Sequence, residues 1–116
     1  MNLEQFEETI KNLLQHKIEI VSTSNLKTIR KGTLILYNLK EFYMTFVLKT
    51  QKGDTKYYHF PIPYDYVEQP KLNRVQFRYD NELIHNEKNH LSELVETLGD
   101  SKSVFYDNIL NVEYTR

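Results

Sequence analysis

A repeated alternation of apolar and polar residues is the feature of this sequence that most constrains its fold. The alternation starts after His16 and recurs around Phe46 and around Phe77. Successive side chains of a strand point to opposite faces, so a period of two predicts half-buried strands. Short turns, such as residues 51–54 with their glycine, separate these segments and favour antiparallel pairing. The predicted strands are residues 18–23, 33–37, 43–50, 55–60 and 72–80, and residues 103–115 form either a hairpin or one long bent strand.

Two segments have the helical period of 3.6 instead. The first follows Asn2, a predicted N-cap, and Gln5 lies three residues later as in a capping box. The second spans residues 89–98 and stops at Gly99. Their apolar stripes are Leu3, Phe6, Ile10, Leu13 and Leu14 in the first helix, and Leu91, Leu94, Val95 and Leu98 in the second. We therefore predict one α+β domain over residues 1–116, an antiparallel β-sheet meander with an N-terminal and a C-terminal helix packed on one face.

The composition is that of an ordinary globular chain of 116 residues, 40% hydrophobic and 27% charged. Cysteine is absent, which excludes disulfides, zinc–thiolate sites and thiol catalysis and favours a cytoplasmic location. No apolar run approaches about 18 residues, and the N-terminus is acidic, so neither a membrane span nor a signal peptide is predicted. Frequent lysine and asparagine without alanine indicate an AT-rich coding sequence, as in low-GC bacteria, their plasmids and their phages.

Charge is distributed unevenly along the chain, although the net formal charge is only −1. Residues 25–60 contain seven Lys or Arg and two Asp or Glu, whereas residues 82–100 contain one Lys and five acidic residues. One interpretation is a basic sheet face and an acidic helix that complement each other. The other is a basic surface that binds nucleic acid or an acidic partner.

The segment 61–70 contains three prolines, which cannot donate to a central ladder, so it is predicted to be an edge or a loop. Prolines order such a segment in advance, and its tyrosines can then be presented at low entropic cost. Tyrosine and arginine are typical of protein-binding hot spots, and aromatic residues interleaved with basic residues can bind nucleic acid strands. We therefore expect function to localise to a surface rather than to a deep pocket, while buried core tyrosines are the alternative. The predicted binding residues are Tyr64, Tyr66, Arg74, Arg78, Lys56 and Tyr58.

Motifs for catalysis are absent from the sequence. With three glycines there is no phosphate-binding loop, and there is no nucleophile elbow or clustered metal-ligand pattern. No cofactor and no metal are therefore predicted. The catalytic candidates are His85, Asp80 and Arg78, which could act as an acid–base cluster. The alternative is that His85 belongs to a polar loop before the second helix.

The run Phe77-Arg78-Tyr79-Asp80-Asn81, followed by His85, resembles the F-R-Y-D-N-x-x-H stretch of the TumE-like toxins of bacterial toxin–antitoxin pairs. In that family the stretch follows a β meander with a K-Y-x-Y-H-like strand, and Lys56-Tyr57-Tyr58-His59 occupies a similar place here. This chain departs from the family's histidine-rich tail, because a predicted leucine helix follows His85 and His90. The resemblance implies a component of a toxin–antitoxin pair.

These observations predict a small accessory or regulatory protein of a bacterial mobile element (a phage, a plasmid or a toxin–antitoxin locus). It would act by binding a macromolecule, with protein as the first choice, nucleic acid as the second and no membrane partner. A homodimer is possible. The two alternatives are a toxin-like enzyme that processes nucleic acid and a structural subunit of a homo-oligomer.

Overall fold

The computed structural model describes residues 1–22, 28–41, 43–79 and 109–115. Their elements, in chain order, are α1 (Leu3–Lys11), β1 (Lys17–Ser22), β2 (Thr28–Leu39), β3 (Tyr43–Lys49), β4 (Thr55–Pro61), β5 (Asp65–Gln69), a short 3-10 helix (Pro70–Leu72), β6 (Arg74–Arg78) and β7 (Ile109–Thr115). All seven strands belong to one sheet, in the order β4-β3-β2-β1-β7-β6-β5. Every neighbouring pair is antiparallel.

The predicted fold class is wrong. Within the described part of the chain, a seven-stranded antiparallel sheet dominates, the one α-helix is at the N-terminus, and the C-terminal element is strand β7. The sheet is not a simple meander, because β1 pairs with β2 on one side and with β7 on the other. Residues 28–32, for which no strand was predicted, begin β2, and residues 65–69, predicted as an edge or a loop, form edge strand β5. The predicted second helix, residues 89–98, lies outside the described residues.

Helix α1 begins as the sequence predicts. The side-chain Oδ1 of Asn2 accepts hydrogen bonds from the backbone N–H groups of Glu4 and Gln5, at 3.0 and 3.2 Å. These bonds satisfy two of the donors that a helix start leaves unpaired. After the helix, the Gln15 N–H donates to the Leu34 carbonyl at 2.7 Å, and this bond ties the end of the helical segment to β2.

The sheet is curled around the core, and its inner face is concave. Phe46 of β3 and Phe77 of β6 have ring centroids 6.4 Å apart, although three strands separate β3 from β6. Those strands would be about 19 Å apart in a flat sheet with ordinary strand spacing. Residues 62–64 alone connect β4 to β5, which are the two edge strands. The two edges therefore lie close together, and the Tyr79 hydroxyl bonds the Pro61 carbonyl across them at 3.0 Å.

The concave face contains the core and confirms the predicted orientation of β6. Phe77 is fully buried, and Arg78 lies half-buried on the opposite face, as the alternation predicts. Segments 56–60 and 74–79 contribute to the same antiparallel sheet. Phe6 and Ile10 of α1 join this core together with Leu13, which lies just after the helix. The stripe predicted for residues 91–98 lies outside the described residues.

The predicted interpretation of residues 61–70 as an edge or a loop agrees with the structure, since Pro61 ends edge strand β4 and β5 is the other edge. Gly53, at the predicted β3–β4 turn, has a φ of +89°, which glycine adopts without steric cost. Within the described ranges, no helix has the length and apolar character needed to cross a membrane.

Candidate anion-binding groove

The predicted binding residues lie in different parts of the molecule. Tyr64 is half exposed in the short link between the edge strands. Tyr66 of β5 instead faces the core, where its ring packs against Phe6 with centroids 5.2 Å apart. The two tyrosines therefore differ in environment, and Tyr66 contributes to packing beneath α1.

Arg74 and Arg78 lie on the convex face of β6, and both are half-buried. The Arg74 Nε donates to the side-chain oxygen of Gln69, and the Arg78 Nε donates to that of Gln76 at 3.2 Å. Glu113 of β7 lies directly opposite Arg74 in the sheet. Both guanidinium groups are thus held by neighbouring polar side chains.

Lys56 and Tyr58 are on β4, in the other half of the sheet. Tyr58 is buried on the concave side, with the Arg30 guanidinium carbon 5.4 Å from the centre of its ring. Lys56 is exposed. The structure therefore does not gather the six predicted residues into one surface, and the catalytic candidates Asp80 and His85 lie outside the described residues.

The structure gathers a set of basic residues, of which Lys56 alone was a predicted binding residue, around a groove of about 690 Å³. One wall is formed by β1, the first half of β2 and the end of β7, and the other by the β3–β4 hairpin. The lysines that line the groove are Lys17, Lys31, Lys49, Lys52 and Lys56, and its acidic residues are Glu19 and Asp54. The lining therefore carries a net formal charge of +3.

Strand register explains why lysines that are distant in sequence meet here. Thr33 pairs with Lys17 of β1 and with Lys49 of β3, so the two lysines flank it on neighbouring strands. Glu19 lies directly opposite Lys31 and partly offsets its charge. No ion pair to any of the five groove lysines occurs among the described residues. Within the described part of the chain, their ammonium groups are therefore not neutralised by a carboxylate.

Gly32 allows the two walls to approach each other. A Cβ atom at this position would lie 2.9 Å from the Lys49 carbonyl oxygen and 3.0 Å from the Leu48 Cβ. Before this point β2 pairs with β1 alone, and on its other side, from Thr33 onwards, it pairs with β3. The groove thus forms where one long strand passes from one partner to the next.

A strip of apolar side chains on the convex face lies beside the lysines. Val47 of β3 pairs with Leu36 on one side and with Tyr57 on the other. Leu36 is 59% exposed and Tyr57 is 44% exposed, whereas Val47 between them is only 5% exposed. Lys49 is the diagonal neighbour of Tyr57, because Lys49 pairs with Thr55. We call Leu36, Val47 and Tyr57 the Tyr57 strip.

A second, smaller cavity of about 340 Å³ lies beneath the end of α1. Its polar groups serve the packing of the helix: the Thr9 hydroxyl donates to Glu68 at 2.9 Å, and the His16 Nδ1 lies 3.2 Å from the Thr115 carbonyl oxygen. In the part of the chain that the structure describes, no three His, Cys, Asp or Glu side chains cluster as metal ligands would.

No known family model matches the chain, and neither a curated protein nor a solved structure shows significant similarity to it. The resemblance to the TumE-like toxins therefore stays a prediction. Evidence on function comes from the geometry of the chain alone.

Sequence reasoning identified the excess of basic residues behind the groove, and Lys56 is the one groove lysine among the predicted binding residues. The excess of basic residues in 25–60 includes Lys31, Lys49, Lys52 and Lys56. Lys17 lies outside that window and joins the others only through the pairing of β1 with β2. The alternation of Lys17, Glu19 and Lys49 with buried neighbours was the available signal that these charges share a face.

Proposed function

We propose that this protein binds nucleic acid by its phosphate backbone, through the lysine groove. The observation that carries the proposal is the convergence of five lysines and only two carboxylates on one groove. A cluster of lysines with few neighbouring carboxylates attracts a polyanion. On binding, the counterions condensed on the polyanion are released.

The surrounding strands support a polyanionic ligand. Strands β2, β3 and β4 contain four basic residues and no Asp or Glu. A ligand lying across this half of the sheet therefore meets no carboxylate from these strands. The opposite half differs, since Asp65, Glu68 and Glu113 accompany its two arginines.

The chemistry of lysine favours a backbone ligand over a single small anion. Lysine presents a point charge on a flexible stem, whereas planar, bidentate recognition of one phosphate is typical of arginine. The groove lining contains lysines and no arginine. Such a site holds a repeating phosphodiester chain with little dependence on sequence. This activity suits an accessory or regulatory protein of a mobile element, the role that composition predicts.

The salt dependence of binding tests the proposal. The probe is a fluorescein-labelled oligothymidine of about 16 nucleotides, the upper end of common site sizes. Its dissociation constant is measured by anisotropy between about 50 and 200 mM salt. The groove variant carries Lys17→Gln, Lys31→Gln and Lys49→Gln. The matched control carries Lys11→Gln, Lys40→Gln and Lys71→Gln, three exposed lysines outside the groove.

We expect the wild-type protein and the control variant to bind with the same steep salt slope. In the groove variant the slope of log K against log salt should fall by about 2, because three phosphate contacts are lost at about 0.7 each. Circular dichroism checks that both variants keep the fold. Equal weakening in the two variants, or no binding by the wild-type protein, would overturn the proposal.

A further inference from the structure

The Tyr57 strip adds an aromatic surface to the lysine groove. Tyr57 and Lys49 are diagonal neighbours on the convex face of β3 and β4. Diagonal neighbours in a sheet are about 7–8 Å apart, which long side chains span. One ligand can therefore contact the ring and the ammonium group together.

The strands beneath the Tyr57 ring are held in place by packing and by side-chain contacts. Val47, which pairs with it, is almost fully covered. In the next cross-strand row, the Thr45 hydroxyl is 2.8 Å from the His59 Nδ1, and the Tyr43 ring packs edge-on to His59 at 6.2 Å. These contacts hold the strands under the Tyr57 strip in place. The protein therefore loses little conformational entropy when a ligand stacks there.

We propose that the groove is specific for single-stranded nucleic acid, with a base stacked on Tyr57 and the adjacent phosphates on the groove lysines. This inference rests on the proposed function and names the class of strand that it binds. A duplex hides the faces of its bases, and so it can use the lysines but not the ring. Stacking on an aromatic side chain beside a basic groove is the general way in which proteins hold single strands.

An acidic protein segment is the competing partner for the same lysines. It would explain the charge of the groove, but its carboxylates do not stack on an exposed aromatic ring, whereas every base of a nucleic acid strand has a face that can. Tyr57 and Lys49 lie side by side on two strands that contain no Asp or Glu, and this arrangement favours a nucleic acid strand.

The experiment compares three labelled probes of similar charge: oligothymidine, an abasic strand of the same length, and a hairpin duplex. Binding is measured for the wild-type protein and for Tyr57→Ala, Tyr57→Leu and Tyr57→Phe. Tyr57→Leu keeps apolar area but removes the flat ring, and Tyr57→Phe keeps the ring. Leu72→Ala is the control for the loss of an exposed apolar side chain elsewhere, because Leu72 is 58% exposed.

We expect oligothymidine to bind the wild-type protein more tightly than either other probe. Tyr57→Ala and Tyr57→Leu should weaken oligothymidine binding by roughly 5- to 150-fold, which corresponds to the loss of one stacking partner, with little effect on the abasic strand. Tyr57→Phe and Leu72→Ala should bind as the wild-type protein does.

The outcomes separate this inference from the proposed function. If all three probes bind equally and the Tyr57 variants change nothing, while the groove variant still loses its salt slope, the single-strand inference fails and backbone binding stands. If the groove lysines prove irrelevant, the proposed function fails whatever Tyr57 does. If a polyglutamate peptide displaces oligothymidine at equal charge concentration, an acidic protein is the partner and the single-strand inference is overturned.

Discussion

Tyr79 is the residue whose chemistry the fold changes most. It follows β6, it is almost fully buried, and its hydroxyl donates to the Pro61 carbonyl at 3.0 Å. Burial raises the pKa of Tyr79 well above its ordinary value, because a phenolate in the core would lose its hydration. The pKa of Tyr37 is also raised, first by burial and then by its hydrogen bond to Glu7.

We predict that the protein loses stability as the pH rises above about 10, the ordinary pKa of tyrosine. Above that pH the unfolded chain releases the Tyr79 proton while the folded chain keeps it. Ionisation therefore stabilises the unfolded state relative to the folded state. The expected slope is about 1.4 kcal/mol per pH unit for one such group. Urea unfolding between about pH 8 and pH 11 measures this slope.

In the same measurement, Tyr79→Phe should lower the free energy of unfolding at neutral pH by about 1–2 kcal/mol, because the Pro61 carbonyl loses its donor. Its alkaline slope should be shallower than that of the wild-type protein. Tyr64→Phe, at the half-exposed link, should retain the wild-type slope. Equal slopes in the wild-type protein and in Tyr79→Phe would contradict the assignment of the alkaline loss of stability to Tyr79.

Gly32 is the residue at which backbone proximity shapes the groove. We predict that Gly32→Ala costs about 1–3 kcal/mol of stability, because the added methyl group meets a backbone carbonyl and the Leu48 Cβ at contact distances that side-chain rotation cannot relieve. Thermal or urea unfolding measures the loss. Gly53→Ala is the informative comparison, since no atom lies within 4 Å of the position that its methyl group would occupy and only the positive φ opposes it. If Gly32→Ala leaves the free energy of unfolding unchanged, β2 and β3 can move apart to accommodate the methyl group.

At the scale of elements, β6 contributes one of the fully buried phenylalanines of the core. Phe77 is fully buried, and it contacts the Phe6 ring of α1 at a centroid distance of 5.6 Å. We predict that Phe77→Ala lowers the free energy of unfolding by about 3–5 kcal/mol, as for other buried aromatic residues. Leu72→Ala, an exposed apolar truncation just before β6, should change it by less than about 0.5 kcal/mol. A loss below about 1 kcal/mol for Phe77→Ala would mean that the core is not packed as described.

The elements that the sequence predicted are those with one polar and one apolar face. Strand β6 alternates cleanly, β3 alternates over its first four residues, and helix α1 has a capped start and a single stripe. Strand β4 does not alternate, and it was predicted from the turn before it. The first half of β2 was not predicted as a strand, because the consecutive basic residues Arg30 and Lys31 hide the alternation of polar and apolar residues there. Strand β5 was predicted only as an edge or a loop, because the prolines that flank it are compatible with both: an edge strand needs fewer backbone donors than a central one.

The candidate site was harder to predict than the elements, for a reason of register. Lys17 and Lys49 are neighbours across Thr33, yet 32 positions separate them in the chain. Local periodicity assigns each lysine to the polar face of its strand but contains no information on which strands pair. The sequence therefore indicated a basic face, and only the strand order assembled a groove from it.

At the scale of the whole molecule, the curl of the sheet joins its two halves around one core. Strands β1 to β4 and strands β5 to β7 form two antiparallel groups that meet at the β1–β7 pair. Helix α1 contacts both groups: the Tyr37 hydroxyl of β2 bonds Glu7, and the Phe6 ring packs on Tyr66 of β5. The lysine groove belongs to the first group, and its walls depend on a curvature that the whole sheet sets.

A double-mutant cycle between Phe46 and Phe77 tests this curvature. The rings meet edge to face at 6.4 Å across the core, although the strands that carry them are four positions apart in the sheet. We predict that Phe46→Leu and Phe77→Leu are non-additive in urea unfolding, with a coupling free energy of about 0.5–1.5 kcal/mol. Val47→Ala paired with Phe77→Leu is the control, because Val47 follows Phe46 but lies on the convex face. That control pair should be additive within about 0.5 kcal/mol, and additivity in both cycles would imply a flatter sheet in which the two aromatic rings do not meet.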